Sequence, residues 1–250
     1  MAVRELDQKV AVVTGASKGI GRAMARSLVA AGARVALLAR PSAALNEAGI
    51  ELGAAALPVI CDVSDPDQVR QAITRAAEHF GRLDILINNA ALCEPHLVAQ
   101  TSDDRIRAEI GVNLLGPMFC CREAIPHLER SGNGHIVNVS SESVRMPFPY
   151  LAIYAGTKGG LEAFSAGLRS ELRAQRIRVS ILRLGNVGET NILDSWPTAV
   201  ATEYFAHIRE SGHLAMVGPT CTPQSVARAL IDLLRLPDDV NADLLEVRSR

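Results

Sequence analysis

Short apolar runs alternate along the chain with longer stretches in which apolar and polar residues recur at helical spacing. The stretches predict helices, among them residues 21–31 and 67–80. The second of these helices follows the sequence SDPD, which offers a capping side chain and a proline for the first turn. The apolar runs predict strands at residues 9–14, 34–39, 56–61, 84–88, 135–140 and 178–184, and a weaker seventh strand at residues 242–247.

A regular alternation of strands and helices is typical of repeated strand-helix units, in which the strands run parallel. The predicted strands are apolar along their whole length, which indicates burial on both faces under a layer of helices on each side. The sequence shows no repeat, low-complexity tract or linker that would divide it. We therefore expect an α/β protein: a single doubly wound, Rossmann-type domain over residues 1–250, with a mainly parallel seven-stranded sheet and helices on both faces.

The first predicted strand runs directly into a glycine-rich turn, TGASKGIG, at residues 14–21. Gly15, Gly19 and Gly21 lie where the chain bends into the next helix. Glycine allows the backbone to approach a phosphate group closely, and the helix N-terminus supplies free N–H groups and partial positive charge. A glycine cluster alone is a weak signal, because any tight strand-to-helix turn favours glycine. The strand before it and the helix after it are the context that the dinucleotide-binding motif requires.

Three polar side chains, Tyr150, Tyr154 and Lys158, recur at a spacing of four residues. Residues four apart on a helix lie on one face, so Lys158 is predicted to lower the pKa of the Tyr154 phenol and make it a proton-transfer group. Taken alone, such a pair is more often an ordinary exposed helix pair, but the glycine turn upstream reverses that preference. Tyr150 follows two prolines, which favour a loop or a first turn, so we expect it to line a pocket or to pack.

Composition limits the classes of partner that we expect the protein to bind. A net charge of -1, with 26 basic and 27 acidic residues, provides no electrostatic footprint for nucleic acid or an anionic membrane. The five cysteines show neither metal spacing nor a disulfide framework, which fits a reducing compartment. No apolar run approaches the roughly 20 residues that span a bilayer. We expect a cytoplasmic protein that acts on a small molecule and needs no metal, nucleic acid or membrane.

Four short sequences occur in a fixed order: TGASKGIG at residues 14–21, NNAA at 88–91, NVSS at 138–141 and YAGTK at 154–158. Together they resemble the short-chain dehydrogenase/reductase family from about residue 9 to the seventh strand. The ordered set is far more specific than any one element. The resemblance implies a cofactor half at about residues 7–130, a catalytic and substrate half at about 131–250, and hydride transfer between a nicotinamide cofactor and a carbonyl or hydroxyl carbon.

The resemblance also implies a catalytic set of Asn113, Ser141, Tyr154 and Lys158. Tyr154 would transfer the proton, Lys158 would also hold the nicotinamide ribose, and Ser141 would bind the substrate oxygen. Asn113 would organise a proton-relay water, although a helix asparagine bound to backbone is an equally ordinary interpretation. Ser140 and Ser143 lie close enough to Ser141 to be alternatives to it.

The cofactor contacts implied by the resemblance are spread over the chain: Gly15, Ser17, Lys18, Gly19, Ile20, Gly21, Arg40, Asp62, Val63, Asn89, Tyr154, Lys158, Val187 and Thr190. A site for NAD usually carries an acid at the end of the second strand, where this chain has Ala39 followed by Arg40. Lys18 adds a second cation inside the glycine turn, and arginine suits a 2′-phosphate. NADP(H) is therefore the predicted cofactor, with NAD(H) possible.

The substrate side is less defined. A variable lid is expected at residues 191–221, where Trp196, Tyr204 and Phe205 would line a pocket or pack with equal weight. His207 and His213 show no metal spacing with acids or cysteines, so we expect neither to be a ligand.

Three functions follow. The first is reduction of a ketone or oxidation of a secondary alcohol. The second is a 3-oxoacyl-carrier-protein reductase, for which Arg122, Arg130 and Arg169 could form a basic docking patch. The third, of another class, is a non-catalytic regulator that binds a nicotinamide nucleotide. The resemblance also implies a homo-oligomer, a dimer or tetramer, formed through long helices at residues 102–128 and 154–174.

Overall fold

The computed structural model describes residues 6–146, 148–190, 196–216 and 218–250. Its strands form one seven-stranded sheet in the order β3-β2-β1-β4-β5-β6-β7, and every neighbouring pair is parallel. The strands are β1 Val10–Thr14, β2 Arg34–Ala39, β3 Ala56–Ile60, β4 Ile85–Asn88, β5 His135–Ser141, β6 Arg178–Leu184 and β7 Leu244–Val247. The predicted fold class and the seven strand positions are confirmed.

Helices cover both faces of this sheet. They are α1 Gly19–Ala30, α2 Ala43–Leu52, α3 Pro66–Phe80, α4 Asp103–Ile110, α5 Gly116–Ser131, α6 Ala152–Glu171, α7 Thr198–Glu210 and α8 Pro223–Leu234. On one face α1, α2 and α8 pack against the sheet through residues such as Met24, Leu28 and Leu230. On the other, α3, α5 and α6 pack through residues such as Ile73 and Leu128. Burial of each such side chain stabilises the fold by roughly 2 kcal/mol, which explains strands that are apolar on both faces.

Local sequence explains where α3 begins and ends. The side chain of Asp65 accepts hydrogen bonds from the backbone N–H groups of Asp67, at 2.9 Å, and Gln68, at 3.2 Å. Pro66 occupies the first turn, where its missing N–H costs nothing. Gly81 then adopts a φ of 78°, which ends the helix in the left-handed conformation. The predicted cap and proline are confirmed.

The predicted long helix at residues 102–128 is instead two helices joined by a π-helical segment, Gly111–Leu115. A Cβ added at Gly116 would lie 3.0 Å from Val63 Cγ2, so the chain passes the residues after β3 at close range. The wider π turn keeps both helices packed while it turns Asn113 inward, where it is fully buried. The other predicted helix, at residues 154–174, is α6, which begins two residues earlier and ends at Glu171.

The sheet topology places a crevice at its centre. β1 pairs with β2 on one side and with β4 on the other, so the connections from these strands run to opposite sides. In sheets of this kind, ligands bind outside the carboxyl ends of the strands at such a switch point. Within the described residues, none of the helices is long and apolar enough to cross a membrane.

Candidate active site

The glycine turn, residues 15–21, follows β1 at the crevice. Gly15 and Gly19 have φ values of 66° and 53°, in the left-handed region that favours glycine. A Cβ added at Gly21 would lie 2.3 Å from the carbonyl oxygen of Gly15, a distance that real Cβ atoms do not reach. Glycine at these positions is therefore required by the backbone itself, whatever the turn binds.

The residues after β4 hold this turn in place. The side chain of Asn89 donates to the carbonyl oxygen of Thr14 at 2.9 Å. The hydroxyl of Thr14 accepts the N–H groups of Asn89 and Ala90, both at 3.0 Å. We call residues 89–97 the β4 loop. Its first part is thus bonded to the glycine turn, and Asn89 is a structural link as well as a predicted cofactor contact.

A cavity of about 810 Å³ opens beside the turn, large enough for a dinucleotide-sized ligand. Most of the predicted cofactor residues line it: Gly15, Ser17, Lys18, Gly19, Ile20, Gly21, Arg40, Asp62, Val63, Asn89 and Thr190. Three predicted contacts lie off this wall. Tyr154 and Lys158 belong to α6, and Val187 forms an isolated parallel bridge with Cys221.

The cavity suits an anionic ligand. Lys18 and Arg40 line it with exposed side chains, and neither forms an ion pair with a carboxylate among the described residues. Lys18 also occupies the capping position of α1, yet across the described chain no side chain caps that first turn, so its N–H groups remain available to a ligand. These features fit the phosphates of a dinucleotide.

Ser141 and Tyr154 come together at the carboxyl end of β5. The Ser141 hydroxyl acts on the Tyr154 phenol and by itself lowers the pKa of Tyr154. It also accepts the N–H of Ser143 at 3.2 Å, which fixes its position. Ser140 is turned away, because its hydroxyl donates to the Glu162 carboxylate at 2.6 Å. Of the three candidate serines, Ser141 is therefore the one that faces the tyrosine.

Lys158 lies one helical turn after Tyr154 and is 2% exposed. Its ammonium donates to the carbonyl oxygen of Val139 at 2.8 Å and lies 5.8 Å from the centre of the Tyr154 ring. Burial lowers the pKa of Lys158 to about 8. The predicted proximity of the two side chains is therefore found.

The predicted direction of the Tyr154 pKa is wrong. Burial raises the pKa of Tyr154 well above its usual range, and Cys93 and Glu109 act in the same direction. Lys158 directs its hydrogen bond at β5, so its charge does not offset the burial. The spacing of four residues correctly predicted the position of Lys158. It carried no information about the burial of Tyr154 or about Cys93 and Glu109 near it.

Asn113, from the π-helical segment, joins the β4 loop to α6. Its side-chain amide donates to the carbonyl oxygen of Leu92 at 2.8 Å and to the hydroxyl of Thr157 at 3.2 Å. Its side-chain oxygen accepts the N–H of Leu92 at 2.8 Å. Thr157 precedes Lys158 and donates to the carbonyl oxygen of Tyr154 at 2.7 Å. Asn113 thus ties one wall of the site to the helix that carries both catalytic candidates.

Two asparagines from the quoted sequences form a buried polar ladder beneath the site. The Asn88 amide donates to the Asn138 side-chain oxygen at 2.8 Å. The Asn138 amide donates in turn to the Ser165 hydroxyl, also at 2.8 Å. The ladder links β4, β5 and α6, so these asparagines hold the site elements together from inside the sheet.

Aromatic side chains form a cluster beside Cys93 and Tyr154. Tyr150, Tyr204 and Trp196 pack edge to face, with ring centres 6.1 Å apart for Tyr150 and Tyr204 and 5.4 Å apart for Trp196 and Tyr204. The Trp196 indole donates to the carbonyl oxygen of Cys93 at 2.6 Å, and the Tyr150 phenol donates to Glu203 at 2.7 Å. We call Tyr150, Trp196, Tyr204 and Phe205 the aromatic cluster. Residues 191–195 and Val217 of the predicted lid lie outside the described residues.

Sequence reasoning missed several residues of the site. Cys93, Leu92 and Ser42 line the cavity, and Glu109 is buried behind the β4 loop. Ser42 caps α2 two residues after Arg40, so the serine following the second strand could have indicated its position. Cys93 and Glu109 carry no such sign in the sequence. Among the described residues, no group of three or more His, Cys, Asp or Glu side chains could hold a metal ion.

Comparisons with known proteins find chains of similar sequence and similar structure. An uncharacterised oxidoreductase of Methylorubrum extorquens is 39% identical over 187 residues, which cover 73% of this chain and 75% of the relative. The 3-ketoacyl-(acyl-carrier-protein) reductase of Brucella melitensis, solved with NADH, aligns with a TM-score of 0.82 at 31% identity, over 97% of this chain and 98% of that one. An alcohol dehydrogenase from Thermococcus sibiricus, solved with 5-hydroxy-NADP, aligns with a TM-score of 0.81 at 30% identity, over 96% and 95% of the two chains.

A sequence model of the short chain dehydrogenase family matches residues 9–201, most of the chain. That span contains the glycine turn, the β4 loop, β5 and the helix that carries Tyr154 and Lys158. The chain belongs to the short-chain dehydrogenase family of oxidoreductases.

Proposed function

We propose that this protein transfers a hydride between NADP(H) and a ketone or secondary alcohol, with Tyr154 as the group that exchanges the proton. The observation that carries the proposal is the convergence of Ser141, Tyr154 and Lys158 at the carboxyl end of β5, beside a cavity lined by the glycine turn. When bound, the nicotinamide cofactor supplies or accepts the hydride.

The side chains divide the remaining work. In reduction, the Ser141 hydroxyl orients the carbonyl oxygen and Tyr154 donates its proton as negative charge develops there. The raised pKa of Tyr154 keeps the phenol protonated, which suits a proton donor. Lys158 is close enough to favour the phenolate once the proton has left, since opposite charges favour the ionised form.

Cofactor selection is assigned to the two cations at the cavity. Arg40 follows Ala39 at the end of β2, where a carboxylate would otherwise receive a ribose hydroxyl. Lys18 lies on the same cavity wall. Together they would hold a 2′-phosphate, while Asp62 and Val63 would contact the adenine. The Thermococcus neighbour, solved with an NADP derivative, is consistent with this assignment, whereas the Brucella neighbour was solved with NADH.

A second candidate, reduction of a 3-oxoacyl-carrier protein, is favoured by the similarity to the Brucella reductase. The three arginines predicted to form a basic docking patch argue against it, because each is already engaged by another group of this chain. Arg122 pairs with Glu123 at 2.9 Å, and Arg130 lies 2.7 Å from His127. Arg169 is used internally, where it donates to the carbonyl oxygen of Val179 at 2.9 Å. These cations already have partners of their own.

The test is oxidation of NADPH and of NADH by the purified protein over a panel of ketones, aldehydes and 3-oxoacyl thioesters. Tyr154→Phe is expected to lower kcat by about a thousandfold or more while NADPH binding persists, because the phenol oxygen is lost and little else changes. Tyr150→Phe is the matched control, since Tyr150 makes its hydrogen bond to Glu203 on α7.

Full activity in Tyr154→Phe would remove Tyr154 from the mechanism. Turnover that needs the thioester on a carrier protein, and is absent with the free thioester, would favour the second candidate. Tight NADPH binding with no turnover of any carbonyl would favour a non-catalytic regulator.

A further inference from the structure

Glu109 is a buried carboxyl that the proposed reaction does not use. It lies in the last turn of α4 and is 1% exposed. One carboxyl oxygen, Oε1, accepts the backbone N–H of Glu94 at 3.3 Å. The other, Oε2, has no hydrogen-bond partner among the described residues. An apolar side chain of the same shape would avoid this loss of solvation, so the carboxyl needs an explanation.

Its position relates Glu109 to the site. Glu109 precedes Asn113 by four residues, and both bind the β4 loop from behind: Asn113 at Leu92 and Glu109 at Glu94. Between these two anchors lies Cys93, which lines the cavity. Glu109 and Asn113 therefore fix the same wall.

The charges around Glu109 come from three elements. From the β4 loop, Glu94 and Cys93 face it, and from its own helix Arg105 does. Arg105 is already paired with Glu94, so among the described residues Glu109 has no ion pair of its own. From α6, Tyr154 packs against the apolar cluster that contains Cys93, the residue before Glu94, and the negative charge of Glu109 raises the pKa of Tyr154.

Two further ionisable groups lie at the edges of this cluster. His96 lies near Glu94 and Arg105, and burial and Arg105 lower its pKa, so it is neutral where Glu109 titrates. Lys158 interacts with Cys93. Tyr154 is thus placed between a buried cation on its own helix and a buried carboxyl on the neighbouring one.

We propose that Glu109 is a positioning residue for the reaction: it holds the β4 loop against the site, and its negative charge sets the pH range over which Tyr154 gives up its proton. This inference rests on the proposed role of Tyr154. Burial raises the pKa of Glu109 to about 7, so the carboxyl ionises in the neutral range. Once ionised, it disfavours a second negative charge on the phenol and keeps Tyr154 a proton donor at higher pH.

The experiment compares pH profiles of kcat/KM for carbonyl reduction in the wild type and in Glu109→Gln. Glutamine keeps an acceptor for the Glu94 N–H but removes the charge. The alkaline limb of the profile is expected to move to lower pH by about half a unit or more, because the loss of a nearby negative charge favours the ionised phenol. Asp104→Asn is the matched control on the same helix, since its side chain is 96% exposed, and it should leave the limb in place.

Glu109→Leu separates the two parts of the proposal. It removes both the charge and the acceptor, so it should show the same pH shift together with a raised KM, whereas Glu109→Gln should leave KM close to that of the wild type. An unmoved alkaline limb in Glu109→Gln would overturn the proposal.

A failure of the proposed function is distinguishable. If the wild type reduces no carbonyl, the titration of Tyr154 is followed instead by the ultraviolet absorbance of tyrosinate with NADP⁺ present. The Tyr154→Phe signal is subtracted from each protein, in the wild-type and the Glu109→Gln background. A lower midpoint in Glu109→Gln supports the role of the charge without any turnover, and equal midpoints overturn it.

Discussion

Two walls face each other across the crevice, and they are built differently. The glycine turn is shaped by backbone: its φ values, the bond between Asn89 and Thr14 beside it, and the contact of Gly21 with Gly15 leave no room for side chains at its glycine positions. The opposite wall, made of the β4 loop and the aromatic cluster, is shaped by side chains that reach across from distant parts of the chain. A backbone wall suits a ligand part that never changes, and a side-chain wall can be altered residue by residue.

Among the changes that test these two walls, the largest effect is expected from Gly21→Ala, which breaks the backbone wall. The added Cβ would lie 2.3 Å from the Gly15 carbonyl oxygen, so the turn must open. We expect NADPH affinity measured by calorimetry to fall by a hundredfold or more, equivalent to about 3 kcal/mol. The matched control is Gly167→Ala in α6, where no other atom lies within 4 Å of an added Cβ and stability should rise by about 1 kcal/mol. Unchanged NADPH affinity in Gly21→Ala would refute the backbone account.

The side-chain wall should respond to pH through Glu109. Because burial raises the folded-state pKa of Glu109 to about 7 from an ordinary value of 4.5, the carboxyl weakens the fold as pH rises from about 4.5 through 7. Glu109→Gln removes that dependence. Relative to the wild type, its free energy of unfolding in urea should be higher by up to about 3 kcal/mol at pH 8 and nearly unchanged at pH 4.5. A constant difference between these two pH values would show that Glu109 does not titrate as its burial requires.

Arg40→Ser tests whether a side chain at the edge of the backbone wall determines the cofactor preference. Loss of one charge-assisted contact with a 2′-phosphate should lower the NADPH preference over NADH about tenfold. The ratio of kcat/KM for the two cofactors measures it. Arg107→Ser serves as the control, since that arginine lies on α4 with its side chain 71% exposed. If the ratio stays constant in Arg40→Ser, Arg40 has no part in selection.

The smallest effect is expected from Tyr150→Phe. Tyr150 has a φ of 67°, unusual for a residue other than glycine, and is fixed by its bond to Glu203 and by the His96 N–H, which its carbonyl oxygen accepts at 2.9 Å. Removing the phenol oxygen should raise the substrate KM about threefold, because the lost bond lies within the protein and acts on the site only indirectly, and leave NADPH affinity unchanged. Glu203→Gln should raise the substrate KM by a similar factor. A loss of NADPH affinity in Tyr150→Phe as large as its change in substrate KM would mean that the two walls are not independent.

The backbone wall could be predicted from the sequence because its determinants are local. Gly15, Gly19 and Gly21 fall within one turn, and the strands on either side declare themselves by continuous apolar runs. The resemblance to a known family then supplied Ser141 as a partner of Tyr154, and the position of Ser141 at the carboxyl end of β5 agrees with where ligands bind in such sheets.

The remainder depends on contacts between residues far apart in the chain. The π-helical segment lies directly before Gly116, which passes close to Val63, and helical periodicity carries no trace of it. The Tyr154 pKa depends on burial and on Glu109, which in the sequence is one more polar residue in a predicted helix. The bond from Trp196 to Cys93 joins residues 103 positions apart, and nothing local marks either end.

The central place of β1 in the sheet also bears on the order of folding. Val12 lies opposite Ala36 on one side and opposite Leu86 on the other, so one flank of β1 can close early and the second must wait for β4 to be made. A nascent chain that stops before β4 would expose an apolar strand with unpaired N–H and C=O groups, a form prone to aggregate. Pulse-labelled hydrogen exchange during refolding should therefore show protection in β2 no later than in β4. We therefore expect the two halves of the sheet to meet at the crevice, between β1 and β4, after the flank of β1 and β2 has formed.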